Sequence, residues 1–160
     1  MSTRTGIGYD CHQFVAGRPL VIGGVTLEHT HGLAGHSDAD VLTHAIIDAL
    51  LGAAALGDIG EHFPDTDERY RGADSLVLLR AAVTMLAHAG WGIVHVDSTI
   101  VIERPHISPV REEIRTVLAD ALGVEPALVS VKATRGEGMG FVGRQEGAAA
   151  LALATIESLA

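Results

Sequence analysis

The sequence predicts a single α/β domain, a sheet carrying helices on one face, and three observations predict it. Glycine-punctuated or β-branched stretches alternate with capped amphipathic ones, the pattern of strands interleaved with helices. No linker, internal repeat or low-complexity tail divides the 160 residues, a length that fits one domain with a real core. The chain is 48% hydrophobic with a mean hydropathy of +0.30. Yet no apolar run is long enough to span a bilayer, because Asp48 and Asp58 interrupt the best candidate. The surplus apolar surface is therefore assigned to burial between subunits, so an oligomer and no membrane partner are expected.

Thr5 to Phe14 (TGIGYDCHQF) reads as a strand whose glycines allow backbone or ligand to come close. Its period of two puts Asp10 and His12 on one face and Cys11 on the other. Short strands follow at Leu20–Ile22 and Val25–Glu28, joined by the hairpin signal Gly23-Gly24. A central helix is expected from about Asp38 to Leu56, marked by Val41, Ala45, Leu50, Leu51, Ala54 and Ala55. Ser37-x-x-Asp40 reads as its capping box. His36, Asp40, His44 and Asp48 step by four and share a face wherever the helix covers them. Asp74-Ser75 starts a second helix that runs to about Ala89 and stops at Gly90. Gly92–Glu103 is β-branched and strand-like, Pro105 breaks it, and a third helix covers about Ser108 to Leu122 before Gly123. Leu128–Thr134 is a further strand, followed by the glycine-rich loop RGEGMGFVGRQEG. Propensity makes the alanine-rich segment after it a helix. Alternation of Ala148, Ala150, Ala152 and Ala154 against Leu151 and Leu153 equally suits a buried strand, and period alone leaves the two open.

A net charge of −9 and a pI near 5.3 exclude nucleic acid as a partner, since that needs concentrated Lys and Arg. An acidic chain that handles phosphates needs metals, helix N-termini or a few placed cations. The single cysteine, Cys11, excludes an internal disulfide framework and suits a reducing compartment. The opening MSTRTGIGYD lacks the apolar region of a signal peptide. A cytoplasmic enzyme subunit is expected.

Asp10 and His12, at i and i+2 of a strand, point the same way, as metal ligation requires, although an isolated pair of this kind is ordinarily a polar strand face. His44 is the natural third ligand. One carboxylate and two imidazoles leave an open position, as in catalytic zinc sites, and would also suit a non-haem Fe(II) triad. His36-Ser37 at the expected helix N-terminus favours an anion such as phosphate, beside the plain capping role of Ser37. The loop from Gly57 to Asp67 offers Asp and Thr groups for sugar hydroxyls, but such loops are commonly plain turns. Lys132 to Glu137, with Phe141 and Arg144 beyond, suits a diphosphate and a bridging divalent cation.

Taken together, GYDCHQF, GHSDADVLTHAIIDALLGAAALGDIGEHFPDTD, VKATRGEGMGF and GRQEG, in that order, closely resemble the 2-C-methyl-D-erythritol 2,4-cyclodiphosphate synthase family over essentially the whole chain. The resemblance implies one domain over residues 1–160 with a four-stranded mixed sheet, helices on one face, and a homotrimer whose sheets face the interior. It implies that the last segment is a strand. It implies zinc, or another divalent metal, on Asp10, His12 and His44, and Mg²⁺ or Mn²⁺ bridging the substrate phosphates near Glu137. The implied reaction is intramolecular: the 2-phosphate of 4-diphosphocytidyl-2-C-methyl-D-erythritol 2-phosphate attacks the β-phosphorus and expels CMP. His36 and Ser37 would hold phosphate, Asp58 and Gly60 the ribose side, and Phe63, Pro64, Asp65, Thr66 and Asp67 the erythritol. Ile102, Pro105, His106, Ile107 and Ser108, with Lys132, Ala133, Thr134 and Arg135, would form the cytidine pocket. Phe141 and Arg144 match positions near substrate or an anion at the trimer axis.

Two positions depart from the family pattern. Arg135 stands where a transition-state Thr is usual, with Thr134 beside it, and His106 stands where a Lys is common. A long cation does not replace a short hydroxyl in place. Two other functions compete with the synthase reading: a zinc-dependent phosphodiesterase or phosphatase, and a non-catalytic trimer that binds an isoprenoid diphosphate.

Overall fold

A computed structural model describes residues 1–160. Its main sheet is built from β1 (Thr3–Ala16), β4 (His31–Leu33), β5 (Trp91–Val101), β6 (Val129–Thr134) and β7 (Gly147–Ser158). They lie in the order β4-β1-β7-β5-β6. Only β5 and β6 run parallel, so the sheet is mixed. It has five strands where four were expected, because the short β4 adds itself to the far end of β1 through Phe14–Leu33 and Ala16–His31 pairing. β2 (Leu20–Ile22) and β3 (Val25–Leu27) form the separate hairpin that Gly23-Gly24 announced. Both glycines have positive φ, +58° and +77°, as a tight two-residue turn of this hand demands.

Three long helices, α1 (Val41–Ala53), α3 (Ser75–His88) and α4 (Arg111–Leu122), cover one face of the sheet. Two single turns complete the helical set, α2 (Ile59–His62) and α5 (Gly140–Gly143). α1 packs across β1 and β7, and its Leu42, Ile46, Ile47, Leu50 and Leu51 are fully buried. Burying each such side chain contributes roughly 1.5–3 kcal/mol. α1 lies unusually low on the sheet because Gly6 and Gly8 have no side chain there. No helix is long and apolar enough to cross a membrane.

Two expectations for α1 are corrected. It starts at Val41 and ends at Ala53, so His36 and Asp40 lie ahead of it and only His44 and Asp48 share its face. Its N-cap is Asp40, not Ser37. The fully buried Asp40 accepts the Thr43 N–H at 3.1 Å and the Thr43 hydroxyl at 2.7 Å. It also accepts the N–H groups of Gly23 at 2.8 Å and Gly24 at 2.7 Å, tying the hairpin turn to the helix. A capping oxygen and a long-range anchor on one carboxylate outcompete Ser37, whose Oγ instead accepts from Ala39 N–H two residues on, at 3.2 Å.

The segment after the glycine-rich loop is a strand, overriding helix propensity. β7 sits between β1 and β5, where Ala148, Ala150, Ala152 and Ala154 face α1 and Leu151 and Leu153 face away. Leu151 pairs across the ladder with Tyr9, and Leu153 with Ile7, leaving four large apolar side chains exposed on the uncovered face.

The tolerance of these positions is open to measurement by chemical denaturation. A Cβ at Gly8 would lie 1.8 Å from the Ala45 carbonyl oxygen. Gly8→Ala is therefore expected to cost roughly 3 kcal/mol or more, because helix backbone must move. Gly52→Ala, in an exposed turn of α1 whose nearest neighbour is 4.0 Å away, is expected to gain up to about 1 kcal/mol. Asp40→Asn turns an amide NH₂ toward donors and is expected to cost roughly 2–4 kcal/mol.

Candidate metal and nucleotide site

Asp10 and His12 reach the helix-covered side from β1, and His44 meets them from the first turn of α1. The His12 Nε2 to Asp10 Oδ2 distance is 2.8 Å, His44 Nδ1 to Asp10 Oδ2 is 3.1 Å, and the two imidazole nitrogens are 3.3 Å apart. Hydrogen-bond bookkeeping assigns the tautomers. His12 Nδ1 lies 2.8 Å from the Ala34 carbonyl, which only accepts, so Nδ1 carries the hydrogen and Nε2 has a bare lone pair. Ser75 gives its hydroxyl hydrogen to Asp38, so it must accept from His44 Nε2 at 2.8 Å, which leaves His44 Nδ1 bare as well. Two imidazole lone pairs and a carboxylate oxygen thus face one another.

Such an arrangement demands a cation. In tetrahedral zinc sites the edge between two ligand atoms is about 3.3 Å, from bond lengths of ~2.0–2.1 Å. The three donors, 2.8–3.3 Å apart, lie at or just inside that separation, so they fit a divalent ion of this kind. The carboxylate's burial works against its charge, but hydrogen bonds and charge from His12 and His44 prevail and hold Asp10 down to about 2. For His12, burial disfavours the charged ring, yet the Asp10 hydrogen bond and charge raise its pKa overall.

The donors open into a cavity of about 480 Å³, whose wall includes Gly35, His36, Ser37, Gly60, Phe63, Pro64 and Asp65. His36 Nε2–H donates to the Asp67 carbonyl at 2.8 Å, which fixes its ring. Arg18 donates to the carbonyls of Gly35 and Ser37, each at 2.7 Å, and so pins the loop that carries His36. The expected anion site at the α1 N-terminus is not formed as drawn, because Asp40 occupies that terminus. Asp58 caps α2 through Glu61 N–H, and Asp67 caps the 3-10 turn Glu68–Tyr70 and pairs with Arg69. Neither these two side chains nor Thr66 line the cavity. Asp48, raised by its partial burial, accepts Ile59 N–H at 2.7 Å and holds α2 against α1.

A second, separate cavity of about 170 Å³ gathers Ile102, Pro105, His106, Ile107, Ser108, Ala133, Thr134 and Arg135, with Arg111 added. Lys132, the remaining member of the expected cytidine set, departs: its amine pairs with Asp97 at 2.8 Å on the uncovered face, since alternation along β6 sends it there. No lining residue is common to the two cavities within one chain. Glu137 is exposed and reaches only Arg135, at 3.6 Å. Phe141 lines a third hollow with Cys11 and Glu146, and Arg144 pairs with Glu146 at 2.9 Å.

Sequence reasoning missed Ser75, Asp38, Arg18 and Arg111. Ser75 had been absorbed into a helix start, and only the His44 contact reveals it.

Residues 3–157 match the YgbB family. The chain belongs to that family. Among YgbB relatives, the 2-C-methyl-D-erythritol 2,4-cyclodiphosphate synthase of Salinibacter ruber is 58% identical over 155 residues, 97% of this chain and 99% of the relative. The protein of that name from Syntrophomonas wolfei is 54% identical, over 96% and 98%. The bifunctional IspDF of Campylobacter jejuni superposes with a TM-score of 0.95 at 38% identity, covering 99% of this chain. The chain corresponds to 43% of that longer protein. The Plasmodium falciparum IspF, solved as a CDP complex, gives a TM-score of 0.87 at 28% identity, over 99% and 98%.

Ser75→Ala removes the nearer of the two hydroxyls at His44 Nε2, leaving Ser37 Oγ at 3.2 Å. Affinity for Zn²⁺ or Co²⁺, measured by chelator competition, is expected to fall about 10–100-fold with the fold intact.

Proposed function

We propose that the chain is a 2-C-methyl-D-erythritol 2,4-cyclodiphosphate synthase, one catalytic domain over residues 1–160. Its substrate on this reading is 4-diphosphocytidyl-2-C-methyl-D-erythritol 2-phosphate. A 2-phosphate oxygen forms a bond to the β-phosphorus as the bond from that phosphorus to the oxygen bridging to the α-phosphate breaks. CMP leaves with the electron pair, and an eight-membered cyclic diphosphate remains. The observation that carries the reading is 58% identity, over nearly the full length of both chains, to a protein of that name.

The nucleophile is already an anion, so the chain need not supply a strong base; its task is to position two phosphates and offset their charge. Asp10, His12 and His44 would hold a divalent ion, zinc by their donor set. Such an ion, when bound, supplies Lewis-acid charge to phosphate oxygens. His36 and Ser37 line the same cavity, where their backbone N–H groups and the Ser37 hydroxyl are the donors for a phosphate oxygen. Gly60, with Asp58 behind it, borders the ribose, and Phe63, Pro64 and Asp65 border the erythritol. Ile102 to Ser108 and Ala133 to Arg135 hold the cytidine, while Glu137 is the carboxylate available to a second ion, Mg²⁺ or Mn²⁺. A substrate reaching both cavities is accommodated between subunits of a homotrimer. The exposed Ile7, Tyr9, Leu151 and Leu153 stripe supports that assembly, with Phe141 and Arg144 toward the axis. The reduced single cysteine is compatible with a cytoplasmic enzyme.

Phosphorus NMR with the cytidyl diphosphate substrate, Zn²⁺ and Mg²⁺ tests the function. A cyclic diphosphate and CMP in equal amounts are expected. An open-chain bisphosphate with CMP would replace the synthase by a hydrolase, and binding without turnover would leave a binding protein. His44→Ala is expected to lose bound metal, by elemental analysis, and to lower turnover at least about 100-fold; full metal occupancy in that variant would refute the ligand assignment.

A further inference from the structure

In a chain of net charge −9, six of the eleven Lys and Arg side chains sit close against a carboxylate. Arg69, Arg71, Arg80, Arg115, Lys132 and Arg144 all make ion pairs at 2.7–3.2 Å. Arg4 stacks over Trp91 and Arg18 donates to backbone carbonyls, and the remaining three, Arg104, Arg111 and Arg135, gather at the cavity framed by Ile102, Pro105 and Ile107. Arg111, at the start of α4, lines it, and its Nε is buried with no hydrogen-bond partner. Arg135 lines it too, 43% exposed and tied only loosely to Glu137 at 3.6 Å. Arg104 turns against His106, another lining residue, rather than against an acid.

Arg111 makes no ion pair, so the charge it brings to the cavity wall is uncompensated within the chain unless a ligand offsets it. Uncompensated guanidiniums converging on one hollow, in an otherwise acidic molecule, describe an anion site. The fork of an Arg side chain matches phosphate oxygens in pairs. The apolar Ile102, Pro105 and Ile107 wall suits a flat ring, and Thr134 adds a hydroxyl donor beside the two cations.

We propose that Arg111 and Arg135 form a phosphate clamp for a bound pyrimidine nucleotide, one that acts without a divalent ion. The proposal rests on the assignment of this cavity to cytidine. It gives Arg135 a binding task of its own, different from that of a short hydroxyl: the long side chain neutralises nucleotide phosphate where a Thr could only donate to it. The CMP that leaves would then depart from a fixed pair of cations as well as from any metal that Glu137 helps to hold.

Isothermal titration of the whole protein in excess EDTA separates the contributions, with CMP, cytidine and inorganic phosphate as probes. The wild type is expected to bind CMP more tightly than cytidine. Arg135→Thr and Arg111→Met are each expected to weaken CMP roughly tenfold, the scale of one charge-assisted contact, while cytidine affinity stays unchanged. CMP affinity unchanged in both variants overturns the clamp and leaves the synthase reading standing. An equal loss for CMP and cytidine also overturns it, by making the arginines base contacts. Inorganic phosphate binding as tightly as CMP would reduce the cavity to a simple anion site and remove the nucleotide from the proposal. A wild type that binds neither cytidine nor CMP sinks the clamp and the cytidine assignment together.

Discussion

The closeness of α1 to β1 governs the rest of the molecule. At Gly6 and Gly8 the strand presents no side chain, and any Cβ there would overlap the carbonyl oxygens of Ala49 and Ala45. The helix meets this surface with alanines, and β7 next door adds Ala150, Ala152 and Ala154. With small residues on both sides, backbone rests almost on backbone. That is what lets His44, on a helix, come within 3.1 Å of Asp10, on a strand. Were the two elements at the usual helix-to-sheet separation of about 10 Å, side chains of this length would not converge on one point.

Around that contact the polar groups are arranged so that few are free to move. Asp40 ties a hairpin turn to the start of α1, and Asp38 and Ser75 tie the start of α3 to His44. Arg18 fastens the intervening loop from outside. Each bond satisfies a group that folding would otherwise strand, and each also fixes a ligand or a cavity wall. Stability and preorganisation are here the same set of interactions.

Much of this was legible in the chain. The D-x-H spacing on a strand and a histidine early in the following helix were enough to name the three convergent donors, because strand and helix periods are local rules. The hairpin at Gly23-Gly24, the helix begun by Asp74 and the αL stop at Gly123 follow from equally local chemistry. What escaped was decided at long range. Ser37 and Asp40 are comparable caps by type, and only the distant N–H groups of Gly23 and Gly24 select Asp40. Alanine favours helix, yet residues 147–158 are a strand because only small side chains fit between two other strands and beneath α1. Arg111 carries no local signal: Glu112 and Glu113 follow it in the chain, yet Glu112 pairs with Arg115 and Arg111 lines the cavity without an ion pair, which sequence order does not reveal.

The position of β7 has a consequence for how the chain is made. It comes last of the sheet's strands in chain order, yet it supplies the middle of the sheet and every hydrogen bond that joins β1 to β5. Until residues 147–158 have emerged from the ribosome, the two long strands on either side of the gap remain as open edges. The nascent chain therefore cannot mature piecemeal from its N-terminal end. Its closing event joins Thr3 to Glu157, across every other element of the sheet, and such a distant pairing is slow. During that interval the slot between β1 and β5 stays unfilled, and the sheet is sealed by a single late insertion.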